Sequence, residues 1–155
     1  MGKENNIKYF IRRERQKMYF EWKDGYSVNI AEIDKQHKKL FEIGGRISDL
    51  VLSKDEYDQY DEIISILQEL KDYTIYHFEY EEKLMSRYGY AELDGHRFEH
   101  MFLTKKIKKF ENVEIDADQK AAIVEIIAFV SDWIAGHILK TDLKYREFFN
   151  QKGIR

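Results

Sequence analysis

Four stretches of the chain repeat apolar residues at alternating spacings of three and four, the period of a helix with one buried face. The first runs from Asp34 to Leu52, with Ile33, His37, Leu40, Gly44, Ile47 and Val51 on its stripe. The second opens at Ser53-Lys-Asp-Glu56, a capping-box pattern, and carries Ile63, Leu67, Leu70, Thr74, His77, Glu81, Leu84 and Tyr88. The third spans Glu92 to Phe110, with Leu93, His96, His100, Leu103, Ile107 and Phe110. The fourth, capped from Asp116-Ala-Asp-Gln119, shows Ile123, Ile126, Val130, Trp133 and His137, with Ile127, Ile134 and Ile138 beside them. A break around Leu139-Thr141 and a short last helix over Leu143-Asn150 are expected to follow. Gly89 reads as the stop of the second helix, and Gly153 closes the chain. Gly44-Gly45 costs the first helix about 1 kcal/mol per glycine relative to alanine. That cost makes sense if a neighbouring helix comes close there. The pattern predicts an all-α fold, an up-down-up-down four-helix bundle.

Two segments fall outside the stripes. Residues 19–33 hold Trp22, Tyr26, Val28 and Ile30 without helical period, and Asp24-Gly25 is a turn signal. They read as an extended arm laid against the bundle, with Trp22 as a packing anchor. Residues 1–18 are basic, with an excess of four positive charges and a weak amphipathic stripe of Ile7, Phe10, Ile11 and Met18. The plain reading is a solvated extension, and the sharper one a contact with a protein partner or a membrane surface. The division expected is therefore a basic extension over 1–18 and one bundle domain over 19–155.

Composition narrows the function classes. A chain of 155 residues, 43% apolar and 35% charged, is one ordinary globular domain. The net charge of −3 supplies no overall basic field for nucleic acid. Lys105, Lys106, Lys108 and Lys109 read as a solvated face near a helix C-terminus, where cations suit the helix dipole. Cysteine is absent, which excludes disulfides, thiolate metal sites and cysteine nucleophiles. Proline is absent too, which favours long uninterrupted helices. The longest apolar run, AAIVEIIAFV, is broken by Glu125 and is too short to span a membrane. The N-terminus lacks the apolar core of a secretory signal, so a cytoplasmic location is expected.

The chemistry lies on the stripes themselves. All five histidines fall on the buried seam: His37, His77, His96, His100 and His137. His77 and Glu81 are four apart, as are His96 and His100, so each pair shares a helix face. Asp142 stands five residues beyond His137, roughly 140° away on an ideal helix. The two converge only if the helix ends or bends between them. A lone histidine on an apolar face is usually a satisfied core residue. Five, with two carboxylates, would leave many buried polar groups unsatisfied, at about 1–3 kcal/mol each. Metal coordination removes that problem. Five imidazoles and two carboxylates exceed one tetrahedral zinc and suit two six-coordinate ions bridged by the carboxylates, iron or manganese by ligand type. The ferritin-like arrangement needs Glu-x-x-His pairs, and no histidine here has glutamate three residues before it. Asp34-x-x-His37 comes nearest, and Asp34 reads as a helix cap.

Trp22 followed by IDKQHKKL (33–40), HFEYEE (77–82), HRFEH (96–100) and DWIAGHILKTD (132–142) resembles the hemerythrin family, its bacterial members above all. The order His, His-x3-Glu, His-x3-His, His-x4-Asp matches the family's seven-ligand set, and the resemblance covers about residues 20–150. The extension before residue 19 stands outside it, and the second turn reads YGY where relatives often have Tyr-Pro. The resemblance implies two iron ions with an oxo or hydroxo bridge. His96, His100 and His137 would hold one, His37 and His77 the other, and Glu81 and Asp142 would bridge them. Dioxygen would bind end-on at the iron held by two histidines. Trp133, Ile134 and Ile138 match the positions that line the family's oxygen pocket. Tyr145, three residues after Asp142, is either a partner for a ligand or a packing residue. The activity implied is reversible dioxygen binding for carriage, storage or delivery, with no catalytic residues. Two other classes stay open: an oxygen or redox sensor signalling through the N-terminal arm, and a di-iron enzyme acting on peroxide or nitric oxide. The enzyme needs a proton donor near the open iron, and the seam offers no spare histidine or acid.

Overall fold

The computed structural model describes residues 20–52, 60–110 and 119–155. Its regular elements are all helices, with no strand among the described residues. Four long helices form the bundle: α1 (Ala31–Leu52), α2 (Tyr60–Tyr88), α3 (Leu93–Phe110) and α4 (Gln119–His137). A π-helical turn, Ile138–Asp142, joins α4 to α5 (Leu143–Gln151). The capping patterns at Ser53–Glu56 and Asp116–Gln119, and the basic extension over 1–18, lie outside the described residues wholly or in part. Cross-helix pairs show successive helices running antiparallel. Arg46 of α1 meets Glu69 of α2, Phe78 of α2 meets His100 of α3, and Phe110 of α3 meets Phe129 of α4. No described helix is long and apolar enough to cross a membrane.

The turn between α2 and α3 has a local cause. Gly89 takes a positive φ of 71°. Its N–H reaches the Ser86 carbonyl, and the Tyr90 N–H reaches that of Met85 at 3.0 Å. That pair of bonds is a Schellman stop, which glycine enters without steric cost. The same pair recurs at Gly153, where Ile154 and Gly153 bond back to Phe149 and Asn150. YGY therefore closes the helix unaided by proline.

The arm before α1 is bound to the bundle by both apolar and polar contacts. Phe20, Tyr26, Val28 and Ile30 are buried, and Trp22 packs half-buried against Tyr26 and Phe41. Two sequence expectations need correction here. Helix α1 begins at Ala31, so Asp34 lies in its first turn rather than at its cap. Its carboxylate accepts the Val28 N–H at 2.8 Å and the Ser27 hydroxyl at 2.5 Å, fastening the arm. Gly44 does make room for a close neighbour, but the neighbour is the Phe20 ring, not a helix. A β-carbon at Gly44 would lie 2.1 Å from Phe20 Cε1, whereas one at Gly45 would meet nothing closer than 3.9 Å.

The core is split along the bundle axis. One apolar cluster gathers Leu40, Phe41, Ile43 and Ile47 with Ile63, Ile66 and Leu70, and with Ile126, Ile127, Val130, Ile134 and Ile138. A second gathers Val28, Ile30, Ile33, Met85, Tyr145 and Phe149, and a third, smaller one Phe78, Leu103 and Ile107. On α1, His37 lies between Ile33 and Leu40. On α2, His77 and Glu81 lie between Leu70 and Met85. A polar layer is thus sandwiched between two dry ones.

Candidate metal centre

All seven side chains singled out by their spacing meet in that layer, and none is more than 5% exposed. They form two overlapping groups. Glu81, His96, His100, His137 and Asp142 make one, and His37, His77, Glu81 and Asp142 the other. Within each group the ligand-type atoms lie within 4.8 Å of one another. Glu81 and Asp142 belong to both. The Asp142 carboxylate is divided between them: Oδ1 lies 2.9 Å from His137 Nε2 and 3.3 Å from His96 Nε2, and Oδ2 lies 3.2 Å from His37 Nε2. Glu81 Oε2 is 3.2 Å from His100 Nε2 and 3.5 Å from His96 Nε2, while Oε1 faces His37.

Asp142 reaches this position without the expected break. The chain stays helical through Ile138–Asp142 in a π turn, with the Leu143 N–H bonded to the Ile138 carbonyl five residues back. A π turn carries one residue more than an α turn. Residues five apart therefore come into line, and His137 and Asp142 face one site.

Three of the five histidine rings are steered from a neighbouring helix. His77 Nδ1 faces Gln36 Oε1, His100 Nδ1 faces Glu82 Oε1, and His137 Nδ1 faces Glu99 Oε2, each at 2.9 Å. Those oxygens only accept, so each Nδ1 carries a hydrogen, and Nε2 is the nitrogen that each ring turns inward. Glu99 is held in turn by the Thr141 hydroxyl at 2.7 Å, and Gln36 donates to Glu32 at 3.1 Å. Tyr145, fully buried, donates its hydroxyl to Glu81 Oε1. It also packs between His96 and Phe149, so both readings of this residue apply.

The electrostatics call for positive charge. Burial disfavours both carboxylate charges, yet Glu81 is held well below the usual range by His77, His100 and His96. Asp142 is held low as well, where His137 and His37 outweigh burial and the Glu81 charge. Burial pushes His77 down to about 3, leaving it neutral. For His137 burial pulls the same way, but Asp142, Glu81 and Glu99 outweigh it and lift the ring to about 9. A proton on His137 thus supplies part of the cationic charge that the carboxylates demand.

The donor set fits a metal pair. The Nε2 atoms of His37 and His77 are 3.1 Å apart, as are those of His100 and His137. Two nitrogens at right angles on an ion, each bonded at about 2.1 Å, stand about 3 Å apart. Buried atoms at the centre also lack any hydrogen-bond partner: Glu81 Oε2, His96 Nε2 and both oxygens of Asp142. Leaving each unsatisfied costs about 1–3 kcal/mol, and a bound cation removes that cost.

The three-histidine side has an aromatic wall. Phe78 stacks on His100 at 3.7 Å, Trp133 stacks on His137 at 4.7 Å, and the two aromatic rings meet edge to face. Trp133 thus lies beside the three-histidine group. Ile134 and Ile138 are buried in the apolar cluster that holds Leu40 and Leu70. Sequence reasoning passed over Gln36, Glu82, Glu99, Thr141 and Phe78, none of which has the ligand spacing that marked the seven.

Comparison with known proteins agrees with this geometry. The profile of the hemerythrin HHE cation-binding domain matches residues 28–148. The chain is 41% identical over 126 residues to a bacteriohemerythrin of Clostridium acetobutylicum, covering 81% of this chain and 98% of that one. It is 32% identical to a bacteriohemerythrin of Methylococcus capsulatus, over 77% of this chain and 88% of the relative. It is 28% identical to a hemerythrin-like protein of Naegleria gruberi, over 82% and 91% of the two chains.

Proposed function

The chain belongs to the hemerythrin family, and on that premise we propose that it binds dioxygen reversibly at a non-heme di-iron centre. The observation that carries this reading is the pair of buried ligand groups sharing Glu81 and Asp142. In the proposed assignment His96, His100 and His137 hold one ion, His37 and His77 hold the other, and the two carboxylates bridge them. The two-histidine ion is one protein ligand short, and the open position suits a small diatomic molecule bound end-on. An iron pair held by these residues would supply the redox chemistry that reversible dioxygen binding needs.

The protein's own part is to orient, seal and keep protons away. Gln36, Glu82 and Glu99 fix three imidazoles in the metal-binding tautomer. Tyr145 fixes Glu81. The apolar clusters above and below exclude water, so a bound ligand is not lost by hydration. We read the protein as a binder and not an enzyme for a specific reason. Among the described residues, every buried histidine and carboxylate belongs to the seven, and none is left to deliver a proton in turnover.

The test is metal analysis followed by an optical spectrum of the reduced protein before and after air. Two irons per chain are expected, with a visible charge-transfer band that appears with oxygen and fades when it is removed. One metal per chain, or zinc alone, would overturn the assignment.

A further inference from the structure

The outer nitrogens of the ligand histidines meet different chemistry on the two halves of the centre. On the three-histidine half, His100 Nδ1 donates to Glu82 and His137 Nδ1 donates to Glu99, each at 2.9 Å. Both partners are carboxylates. On the two-histidine half, among the described residues, no carboxylate reaches an imidazole from outside. His77 Nδ1 faces the Gln36 amide oxygen, also at 2.9 Å, and the buried His37 Nδ1 has no hydrogen-bond partner. Glu32 lies one amide further out, accepting from Gln36 at 3.1 Å.

The two carboxylates keep most of their charge. Glu82 pairs with Arg97 at 3.3 Å, a contact between part-exposed groups, and such pairs are weak. The other partner of Glu99 is the neutral Thr141 hydroxyl. An imidazole that donates to a carboxylate is a stronger donor through its other nitrogen than one that donates to an amide. A negative charge one ring away also favours a trivalent ion over a divalent one. Both effects fall on the three-histidine half.

We propose that Glu82 and Glu99 fix the order in which the two halves lose electrons. The three-histidine half is oxidised first, and the open half, backed by the neutral Gln36, stays ferrous longer. The inference rests on the di-iron reading. In the first step one electron leaves for a one-electron acceptor and one ferrous ion becomes ferric. No proton moves, because each Nδ1 keeps its hydrogen against its partner. The order suits a binder. The half without an open position is the readier electron source, and Glu81 and Asp142 link it to the half where a ligand is seated.

The test is an anaerobic redox titration of the iron-loaded full chain with one-electron mediators, following ferric absorption through its two one-electron steps. In E82Q, E99Q and E82Q/E99Q the glutamine oxygen still accepts from Nδ1, so iron content is expected to hold while the charge is gone. Each lost charge should raise the first step on the order of tenfold in the equilibrium, about 59 mV, and move the second step less. E79Q removes an acid of α2 that is 62% exposed and faces no ligand, and should leave both steps in place. R97Q should lower the first step, because Glu82 then lacks its counter-charge. The Arg97 side chain touches no ligand, so R97Q decides the question where a glutamate variant fails to hold iron. A first step that stays put in E82Q/E99Q or in R97Q, or two steps that move equally, overturns this inference alone. Wild-type protein that loads fewer than two irons overturns the di-iron reading and the inference with it.

Discussion

Tyr145→Phe isolates a single hydrogen bond. The phenol is fully buried and donates to Glu81 Oε1. Burial first, then the nearby Asp142 and Glu81 charges, hold its pKa well above the ordinary tyrosine range, so it stays a donor at any working pH. Phenylalanine keeps the ring against Phe149 at 5.3 Å and His96 at 5.7 Å, and leaves no cavity larger than an oxygen atom. What is lost is one hydrogen bond to a charged acceptor, about 1.5–3 kcal/mol. If that energy orients a bridging carboxylate, metal affinity falls roughly 10- to 150-fold. The assay is competition for iron against a graded series of chelators. Tyr90→Phe is the control, because Tyr90 packs on Tyr145 and Phe149 but its hydroxyl makes no hydrogen bond among the described residues. Iron retention by Tyr145→Phe within twofold of the control would refute the claim that the phenol positions Glu81.

Two further predictions probe the halves of the site and the arm. His37→Ala removes one of two nitrogens from the open half, so iron content is expected to fall from two towards one, with loss of the oxygen-dependent band. A variant that keeps both irons and the band would show that His37 is not a ligand. Gly44→Ala and Gly45→Ala should have opposite signs in urea unfolding. Alanine gains about 1 kcal/mol of helix propensity at either site, but at Gly44 it evicts the Phe20 ring and forfeits about 1.5–3 kcal/mol of burial. Shifts of the same sign would mean that Phe20 does not occupy the notch.

The seven convergent residues were legible because a helix seam is a local property. Spacings of three and four fix a face, and no knowledge of the neighbours is needed to see that a histidine lies on it. The same reasoning misplaced what depends on the neighbours. It could see that Gly44 left a notch but not that the arm, and not a helix, fills it. It put Leu84 and Tyr88 on the buried stripe of α2, where the structure buries Ile66, Phe78 and Met85 more deeply. A helix 29 residues long meets different partners along its length, so its buried face rotates. The five-residue step from His137 to Asp142 was legible as a geometric conflict. Its resolution by a π turn was not, because a break and a π turn both bring the two residues together.

The partners that steer the ligands follow a rule that the sequence does contain. Gln36 precedes His37 but holds His77. Glu82 follows Glu81 but holds His100. Glu99 precedes His100 but holds His137. Each lies next to one ligand and serves a histidine on the following helix. The cause is helical geometry: a residue one position from a core-facing ligand is turned about 100° from the centre. There it faces the seam with the adjacent helix, within reach of the outer nitrogen of that helix's imidazole. For Glu82 and Glu99 that position is half-exposed, which is why they resemble ordinary surface acids in a composition or stripe analysis, whereas Gln36 is buried. The polar neighbours of the seven bear this out beyond the three pairs. Thr141, beside Asp142, donates to Glu99, and Arg97, beside His96, pairs with Glu82. Once a ligand set is inferred on a bundle, the residues flanking each ligand are therefore the place to look for what orients the next one.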